Sequence, residues 1–382
     1  MNYFKQNLGL DVDSAELKAS FQKMSDEQEM KIVASRTFKN TVKGFEDMQV
    51  WVEKKRIKDL PIHVTMEATG VYYENVAYFF HEQKNYVVHV VLPNMSSAYM
   101  KSLNSKSKTD KIDAKNLAQM GLERKLSIWN PGSDQMRSIK KLVRERLRFQ
   151  KLKTMVSNQL HAENSSHQPN LRVVIRSEQT ITFIADQIVE IEKELKATVK
   201  ADEQLEQRIS NVCTAPGLAF ITVIGLVAET DGFALFKNRK QLVSYAGYDV
   251  IQNESGKSIL GKTRISKKGN SYIRQMLFMP GMSATTYNEQ YKKLHARITD
   301  RTKIKMKGNV AVQRKLLLLV YTLYKNNTTF DALYQQKVED ELAKRRNQKK
   351  QLAEQKRIKE LNELLNNPNK VVDHVQDMAY SG

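Results

Sequence analysis

The sequence predicts an α/β domain followed by a mainly helical remainder, and three observations lead to this prediction. Short runs rich in β-branched residues alternate with helical periodicity over the first third of the chain. Two long apolar stripes with spacings of three and four residues follow. A last section mixes short helical patterns with turns rich in glycine and lysine. At 382 residues the chain is long enough for two or three domains.

The charge of the chain favours a polyanionic partner. There are 62 Lys and Arg against 42 Asp and Glu, a net charge of +20, and the basic residues recur along the chain rather than in one tail. This distribution indicates nucleic acid before a membrane surface. A single cysteine, Cys213, excludes an internal disulfide framework and a cysteine zinc cluster. Since no signal pattern or long apolar run is present, we expect a soluble, cytoplasmic protein.

The first third of the chain reads as strands alternating with helices. Residues 7–12 form a short strand, and two further strand-like segments follow it. Residues 62–66 and 86–92 are apolar runs typical of strands that are buried on both faces. Amphipathic helices are predicted between them, at residues 41–57 and 71–83. Three early strands followed by this alternation are typical of a ribonuclease-H-like α/β fold, which we assign to residues 1–128.

Four acidic residues are candidate metal ligands in this domain. Asp110 and Asp113 stand three residues apart at the start of a predicted helix, so both lie on one helical face. Oxygen ligands of this kind suit Mg²⁺ or Mn²⁺. Asp11 and Glu67 each end a strand, so all four can converge and hold ions that polarise a phosphate. The alternatives are that Asp110 caps the helix, Asp113 is a solvated first-turn acid, and the other two are turn or surface acids.

Residues 133–205 predict an antiparallel coiled-coil hairpin. Two apolar stripes are separated by a turn at residues 164–170. The first helix carries basic residues that are candidate nucleic-acid contacts: Arg137, Lys140, Lys141, Arg144 and Arg148. Such a hairpin can serve self-association and lie along a phosphate backbone. The alternative is that its basic face is merely solvated.

The section 206–330 holds a second group of candidate residues. A Pro-Gly turn within residues 214–229 can expose backbone N–H groups to a phosphate, although a buried helical hairpin explains the same stretch. Further on, the hydroxyl groups of Ser255, Ser258 and Ser266 lie among glycines and cations. The cations are Lys257, Lys262, Arg264, Lys267, Lys268 and Arg274. Because a serine attacks phosphate only when it is activated, these residues alone are also explained by a phosphate-binding loop without chemistry.

The C-terminal section, residues 331–382, is highly polar. Its centre reads AKRRNQKKQLAEQKRIKE, which predicts a solvated helix or a disordered tail, with RNA binding as a candidate role.

Six segments of the chain, in this order, resemble the DEDD-type transposases of bacterial insertion sequences. The segments are GLDVDS, MEATGVYY, KSKTDKIDAKNLA, TAPGLAFITVIGLVAE, LVSYAG and NESGKSILGKTRISKKGNSYIR. This group is described as bridge-RNA-guided recombinases, and the chain is also similar to pilin-gene invertases. The likeness spans residues 8–284, and KTDKIDA and ISKKGN with its trailing arginine are its specific signals.

The resemblance implies a Holliday-junction-resolvase-like domain and a transposase domain with a catalytic serine. The magnesium-binding tetrad falls on Asp11, Glu67, Asp110 and Asp113. The serine that becomes linked to a DNA phosphate falls on Ser255. The family further implies that domains of different subunits share a site, in a tetramer around a structured bridge RNA that pairs with donor and target DNA. The family's proline after the YAG segment is absent, so the loop leading to Ser255 can sit differently.

We therefore expect an RNA-guided DNA recombinase that depends on a divalent metal and uses Ser255 as its nucleophile. No Walker-type loop is present, so no ATP is expected. Two alternatives stay open. One is a metal-dependent Holliday-junction-type endonuclease in which Ser255 only binds phosphate. The other is a non-catalytic nucleic-acid-binding regulator in which the acids are structural.

Overall fold

The chain divides into two compact units, Met1–Gly132 and Ser133–Gly382. The computed structural model describes residues 2–104, 109–251, 264–333, 344–348, 351–355 and 358, and the backbone of 254–255 and 259–260. The predicted combination of an α/β domain and a mainly helical remainder is confirmed. The finer domain boundaries at residues 128, 205 and 330 stay predictions.

One mixed sheet organises the first unit. Its strands are β1 (Tyr3–Val12), β2 (Glu16–Ser25), β3 (Met30–Lys39), β4 (Ile62–Glu67) and β5 (Tyr86–Val91). They lie in the order β3-β2-β1-β4-β5, in which β1 to β3 are antiparallel neighbours and β4 and β5 run parallel to β1. The helices are α1 (Val42–Glu53), α2 (Tyr73–His81), α3 (Pro93–Ser102) and α4 (Asp110–Glu123). The first strand begins at Tyr3, earlier than the sequence pattern predicts.

Alternation along β1 separates an apolar face of the sheet from a face that receives α4. Leu8 and Leu10 are fully buried and belong to one apolar cluster with Phe45 of α1 and Val76 of α2. Between them, Gly9 belongs to the opposite face, where α4 lies. The main apolar core of this unit therefore lies on one side of the sheet, and α4 is packed on the other.

Two glycines let α4 approach the sheet at backbone distance. A Cβ on Gly9 would lie 2.2 Å from the carbonyl oxygen of Ala114, and one on Gly121 would lie 1.9 Å from Asn7 Nδ2. The contact is polar as well as close, because Asn7 Nδ2 donates a hydrogen bond of 2.7 Å to the carbonyl oxygen of Ala118. Because atoms of β1 and α4 are in direct contact here, α4 can shift or tilt very little on the sheet.

A pair of neutral histidines lies on β4 and β5. His89 Nδ1 is 2.9 Å from the carbonyl oxygen of Ser127, so this nitrogen carries the proton and donates. His89 Nε2 must then accept from His63 Nδ1, at 2.8 Å. Burial, followed by the charges of His89 and Lys5, lowers the pKa of His63 to about 4. Burial also lowers the pKa of His89.

Acid should therefore destabilise the first unit. The folded pair binds fewer protons than the unfolded chain, whose histidines titrate near pH ~6.5. Its contribution is complete above about pH 6.5 and declines as the pH falls toward about 4. His63→Gln should flatten this decline in urea unfolding curves measured from pH ~7.5 to ~4.5. The control is His81→Gln, outside the pair, which should keep the decline of the parent. An equal decline in the parent and His63→Gln proteins would contradict the assignment.

The second unit is mainly helical. Its helices are α5 (Asp134–Asn164), α6 (Leu171–Lys200), α7 (Glu203–Cys213), α8 (Phe220–Glu229), α9 (Arg239–Tyr245), α10 (Ser271–Met276), α11 (Phe278–Tyr287), α12 (Glu289–Thr302) and α13 (Lys305–Asn326). Its strands have two residues each: β6 (Val250–Ile251), β7 (Glu254–Ser255), β8 (Ile259–Leu260) and β9 (Arg264–Ile265). β6 pairs with β9, and β7 pairs with β8, both in antiparallel fashion.

The two long helices form the predicted antiparallel hairpin. Arg146 of α5 is paired with Glu192 of α6 at 2.7 Å, and Val143 belongs to the same apolar cluster as Leu195. A residue in the first half of α5 thus pairs with a residue in the second half of α6, as an antiparallel hairpin requires. Coiled-coil geometry in the strict sense stays a prediction. The same cluster includes residues of α7 to α11 and α13, so the inner end of the hairpin is part of the core of this unit.

In the part of the chain that the structure describes, we find no helix with the length and apolar character needed to cross a bilayer.

Candidate active site

Parallel pairing of β1 with β4 sets two acids side by side at the carboxyl ends of these strands. The last pair in the register is Leu10 with Met66, so the next step along both strands brings Asp11 level with Glu67. Side chains alternate along a strand, so both carboxylates belong to the face of the sheet on which Gly9 lies and α4 packs. Both residues are half-buried.

α4 crosses β1 with its first turn toward the carboxyl end of the strand. The contact moves from Ala118 at Asn7 to Ala114 at Gly9. Two residues further along β1, the contact point on α4 therefore lies about one turn nearer the start of the helix. Asp11 is the next such step, so the first turn of α4 comes to the same edge of the sheet as this carboxylate.

That first turn contains Asp110 and Asp113. Thr109, and not Asp110, is the residue that caps the helix, because its side chain accepts a hydrogen bond from the backbone N–H of Ile112 at 3.3 Å. The alternative in which Asp110 serves as the cap is therefore wrong. Asp110 is exposed and Asp113 is half-buried, and the helix dipole favours negative charge at this position.

The ammonium group of Lys18 gives independent support for this arrangement. Lys18 faces Asp11 across the β1–β2 ladder. A hydrogen bond to Glu16 raises the pKa of Lys18, and the charges of Glu16, Asp110 and Asp11 raise it further. Acids from β1 and from α4 thus act on one cation at one edge of the sheet. Lys18 could not be predicted from sequence, because only the strand register brings it to this edge.

Glu67 is held by two hydroxyl groups. Ser96 Oγ of α3 donates to Glu67 Oε2 at 2.7 Å, and Thr69 Oγ1 donates to Glu67 Oε1 at 2.8 Å. Ser96 is fully buried, so the surrounding packing restrains its hydroxyl. These bonds orient the carboxylate at the strand end. Thr69 lies in the turn that follows the strand and could have been suspected from sequence, whereas Ser96 could not.

The donor set fits a hard divalent cation. The four carboxylates offer only oxygen atoms, which suit Mg²⁺ or Mn²⁺. Across the described residues, no three Asp, Glu, His or Cys side chains lie close enough together to hold one ion. The structure thus shows a shared acidic edge, with Asp11, Glu67 and the first turn of α4.

In the second unit, the LVSYAG and ISKKGN segments join into one structure, which we call the basic platform (residues 244–249 and 265–270). Lys267 N donates to Gly247 O at 3.1 Å, and Asn270 N donates to Tyr245 O at 2.7 Å. Gly269 has φ +154°, and a Cβ there would lie 2.3 Å from Tyr245 O. Glycine is therefore required where the two segments meet.

Ser266 has a structural role within the basic platform. Its hydroxyl donates to Asp249 Oδ1 at 2.6 Å and accepts from Lys268 N at 3.2 Å. The bond to Asp249 holds the two segments of the basic platform together, so the hydroxyl of Ser266 contributes to its structure.

Ser255 lies in β7, where it pairs with Ile259 of β8. β6 and β9 form a separate two-stranded sheet. The structure describes the backbone of Ser255 but not its side chain. Lys257, Ser258 and Lys262 lie outside the described residues.

A buried carboxylate ties the first long helix to the basic platform. Glu229 of α8 is 1% exposed. Arg144 Nε and Nη2 donate to its two oxygens at 2.6 and 2.9 Å, and Asn270 Nδ2 donates at 2.6 Å. Lys140 is 3.8 Å away, and Arg144 also stacks over the ring of Tyr272. Arg144 and Lys140, which the sequence suggests as nucleic-acid contacts, thus have a partner within the unit.

The other candidate cations differ in how freely they face solvent. Five are exposed: Lys141, Arg148, Arg264, Lys267 and Lys268. Arg137 pairs with an acid of its own helix. Arg274 is half-buried and donates to the carbonyl oxygen of Ala246 at 2.8 Å. A role in nucleic-acid binding stays a prediction for all of them.

Removing the guanidinium of Arg144 should destabilise the second unit strongly. Arg144→Met leaves the buried carboxylate of Glu229 without its main partner, which costs about 3 kcal/mol or more of unfolding free energy. The matched control is Arg148→Met on the same helix, where the side chain is 69% exposed and its ion pair with Glu145 is 3.7 Å long. This change should cost less than about 1 kcal/mol. Urea unfolding monitored by circular dichroism measures both, and equal losses would contradict the structural role of Arg144.

Comparisons with known proteins agree with these features. A family of DEDD transposases of the IS110 type, described as "Transposase", matches residues 8–163, and the family described as "Transposase IS116/IS110/IS902 family" matches residues 209–297. These matches include both the acidic edge and the basic platform.

Individual proteins are similar to the chain over different shares of its length. The pilin gene-inverting proteins of Moraxella bovis and Moraxella lacunata are each 29% identical over 300 residues, which is 77% of this chain and 90% of theirs. The transposase for insertion sequence element IS1111A of Coxiella burnetii is 30% identical over 112 residues, 28% of this chain and 29% of its own length. The resemblance seen in the sequence motifs is confirmed: the part of the chain that holds the acidic edge and the part that holds the basic platform each match a family of IS110-type transposases.

Proposed function

We propose that this transposase is the recombinase of an insertion sequence, which cuts donor and target DNA and rejoins the strands through a serine–DNA phosphate linkage. The observation that carries the proposal is the placement of Asp11, Glu67 and the first turn of α4 at one edge of the sheet. The strand order supports a ribonuclease-H-like, Holliday-junction-resolvase-like domain.

Asp11, Glu67, Asp110 and Asp113 would hold Mg²⁺, with Mn²⁺ as a substitute. When bound, the metal supplies positive charge that polarises a phosphate and activates an attacking oxygen. The protein contributes the position of the ligands. The close contact of α4 with β1 sets the height of two acids above the strand, and the hydroxyls of Ser96 and Thr69 orient Glu67.

In the second unit, Ser255 would be the nucleophile. Its Oγ forms a bond to phosphorus while the bond from phosphorus to the leaving sugar oxygen breaks, and the proton lost from Oγ is balanced by the proton that the sugar oxygen takes up. The ester conserves the energy of the broken bond, so rejoining requires no ATP. Exposed Lys267 and Lys268 of the basic platform supply positive charge for the attacked phosphate.

The partners proposed are donor and target DNA, a structured bridge RNA and further copies of the chain, as a dimer or tetramer in the bacterial cytoplasm. A net charge of +20 supports binding to nucleic acids. The names of two relatives describe inversion of a pilin gene, which is a rearrangement of DNA. Bridge-RNA guidance and assembly rest on the family resemblance.

The acidic edge can be tested with a pair of neighbouring substitutions. Asp11→Asn keeps the size of the side chain but removes a ligand charge, and it should lower metal-dependent DNA cleavage by about 100-fold, which corresponds to about 3 kcal/mol of transition-state stabilisation. Asp13→Asn is the control, because Asp13 is exposed in the turn after β1. Cleavage of DNA carrying the element ends, measured in Mg²⁺, decides between them. Full activity in Asp11→Asn would remove the acids from the mechanism.

The serine step predicts a covalent protein–DNA adduct. A nicked suicide substrate that cannot rejoin should trap the adduct on a denaturing gel, and Ser255→Ala should abolish it. Ser258→Ala should retain it, since the assignment rests on Ser255 alone. Cleavage without any adduct in the parent protein would favour a metal-dependent junction endonuclease. An adduct that survives Ser255→Ala and disappears in Ser258→Ala would instead identify Ser258 as the nucleophile.

A further inference from the structure

A cavity of about 710 Å³ lies beside the basic platform, between α5, α8, α10, α11 and α13 of the second unit. We propose that it receives one unstacked nucleotide of the bound DNA strand, close to the phosphate that reacts. The inference rests on the proposed function and adds a binding site to it. The volume is in the range of sites that enclose small molecules, about 300 to 1,000 Å³.

The charge of the lining suits a nucleotide. Among the described residues that line the cavity, Arg146, Lys267 and Arg274 are cationic and none is acidic. Arg146 and Arg274 already have partners in Glu192 and the backbone. Lys267 is exposed and makes no ion pair within the described residues. Its ammonium is thus available to a phosphate at the mouth of an otherwise largely apolar cavity.

The rim offers surfaces on which a base can stack. Phe278 is 39% exposed, Met279 is 67% exposed and Met306 is 53% exposed, and all three line the cavity. Bases stack on aromatic side chains in proteins that bind single strands, and they do so with little dependence on sequence. Methionine sulfur packs favourably against ring edges. These side chains would be covered when a base enters.

A buried amide supplies a polar contact in the wall. Gln313 is 3% exposed and Tyr248 is 1% exposed, and Tyr248 OH donates to Gln313 Oε1 at 2.9 Å. This bond orients the amide and leaves its NH₂ group, for which no acceptor exists among the described residues, as a donor for a base edge. A purely apolar occupant, such as a side chain from a second copy, would not use this donor or Lys267. For this reason we commit to a nucleotide.

The position of the cavity connects it with the reaction. Ile265 and Lys267 line it, and Ile265 ends β9, a strand that begins nine residues after Ser255 in the chain. A nucleotide held here would therefore be taken from the strand near its point of attack. Unstacking a base has a cost that a fitted pocket offsets.

Photocross-linking of the full-length protein tests the proposal. The probe is an oligothymidylate with one 5-iodouracil, and adducts are mapped by mass spectrometry. We expect adducts on peptides containing Phe278, Met279 or Met306. Gln150→Trp places a large ring at the exposed rim of the cavity and should lower the yield of these adducts by about 5-fold or more, as expected from the loss of one stacked base. The control is Lys151→Trp, an exposed neighbour that does not line the cavity.

The outcomes separate this inference from the proposed function. Adducts that form only elsewhere, while the oligonucleotide still binds and the Ser255 adduct still forms, would overturn the nucleotide pocket and leave the recombinase standing. An unchanged adduct yield in Gln150→Trp, with weaker self-association in light scattering, would assign the cavity to a protein contact and also overturn the inference. A protein that binds no nucleic acid would overturn both.

Discussion

The close contact between α4 and the central strand is the constraint on which the acidic edge depends. Gly9 leaves no side chain between the strand and the helix, so a Cβ there would meet the backbone at Ala114 and Ala118, each at 2.2 Å. A helix held by backbone contact has one height and nearly one direction. Its first turn is therefore set at the carboxyl end of β1, where Asp11 lies. Packing of the helix on the strand thus brings the acids of α4 to this edge.

The buried carboxylate of Glu229 has a comparable positioning role in the second unit. Glu229 binds Arg144 from the first long helix and Asn270 from the basic platform. Asn270 also caps α10 by accepting from Tyr272 N and Ile273 N. One carboxylate thus joins the long hairpin, α8 and the basic platform. A buried ion pair of this kind specifies an arrangement more than it adds stability, because desolvation offsets much of its attraction.

The strands and long helices could be predicted well from sequence, since apolar periodicity reports burial directly. Contacts between segments distant in sequence could not. Ser96 binds Glu67, and Asp249 binds Ser266. No periodic pattern in the sequence marks Ser96 or Asp249 as a partner of these residues. Arg144 illustrates the limit most clearly. It lies in a run of basic residues that reads as a nucleic-acid surface, but the buried Glu229 opposite it becomes visible only when the helices are packed.

The sequence by itself determined the class of the protein, its charge and the identity of its acidic and serine motifs, because residue type and short spacing carry that information. Tertiary structure alone decided which residues meet. The register of β1 with β4 sets Asp11 level with Glu67, and the Gly9 contact brings the start of α4 to the same edge. Such meetings depend on packing between segments that are about a hundred residues apart in the chain, and no local pattern specifies that packing.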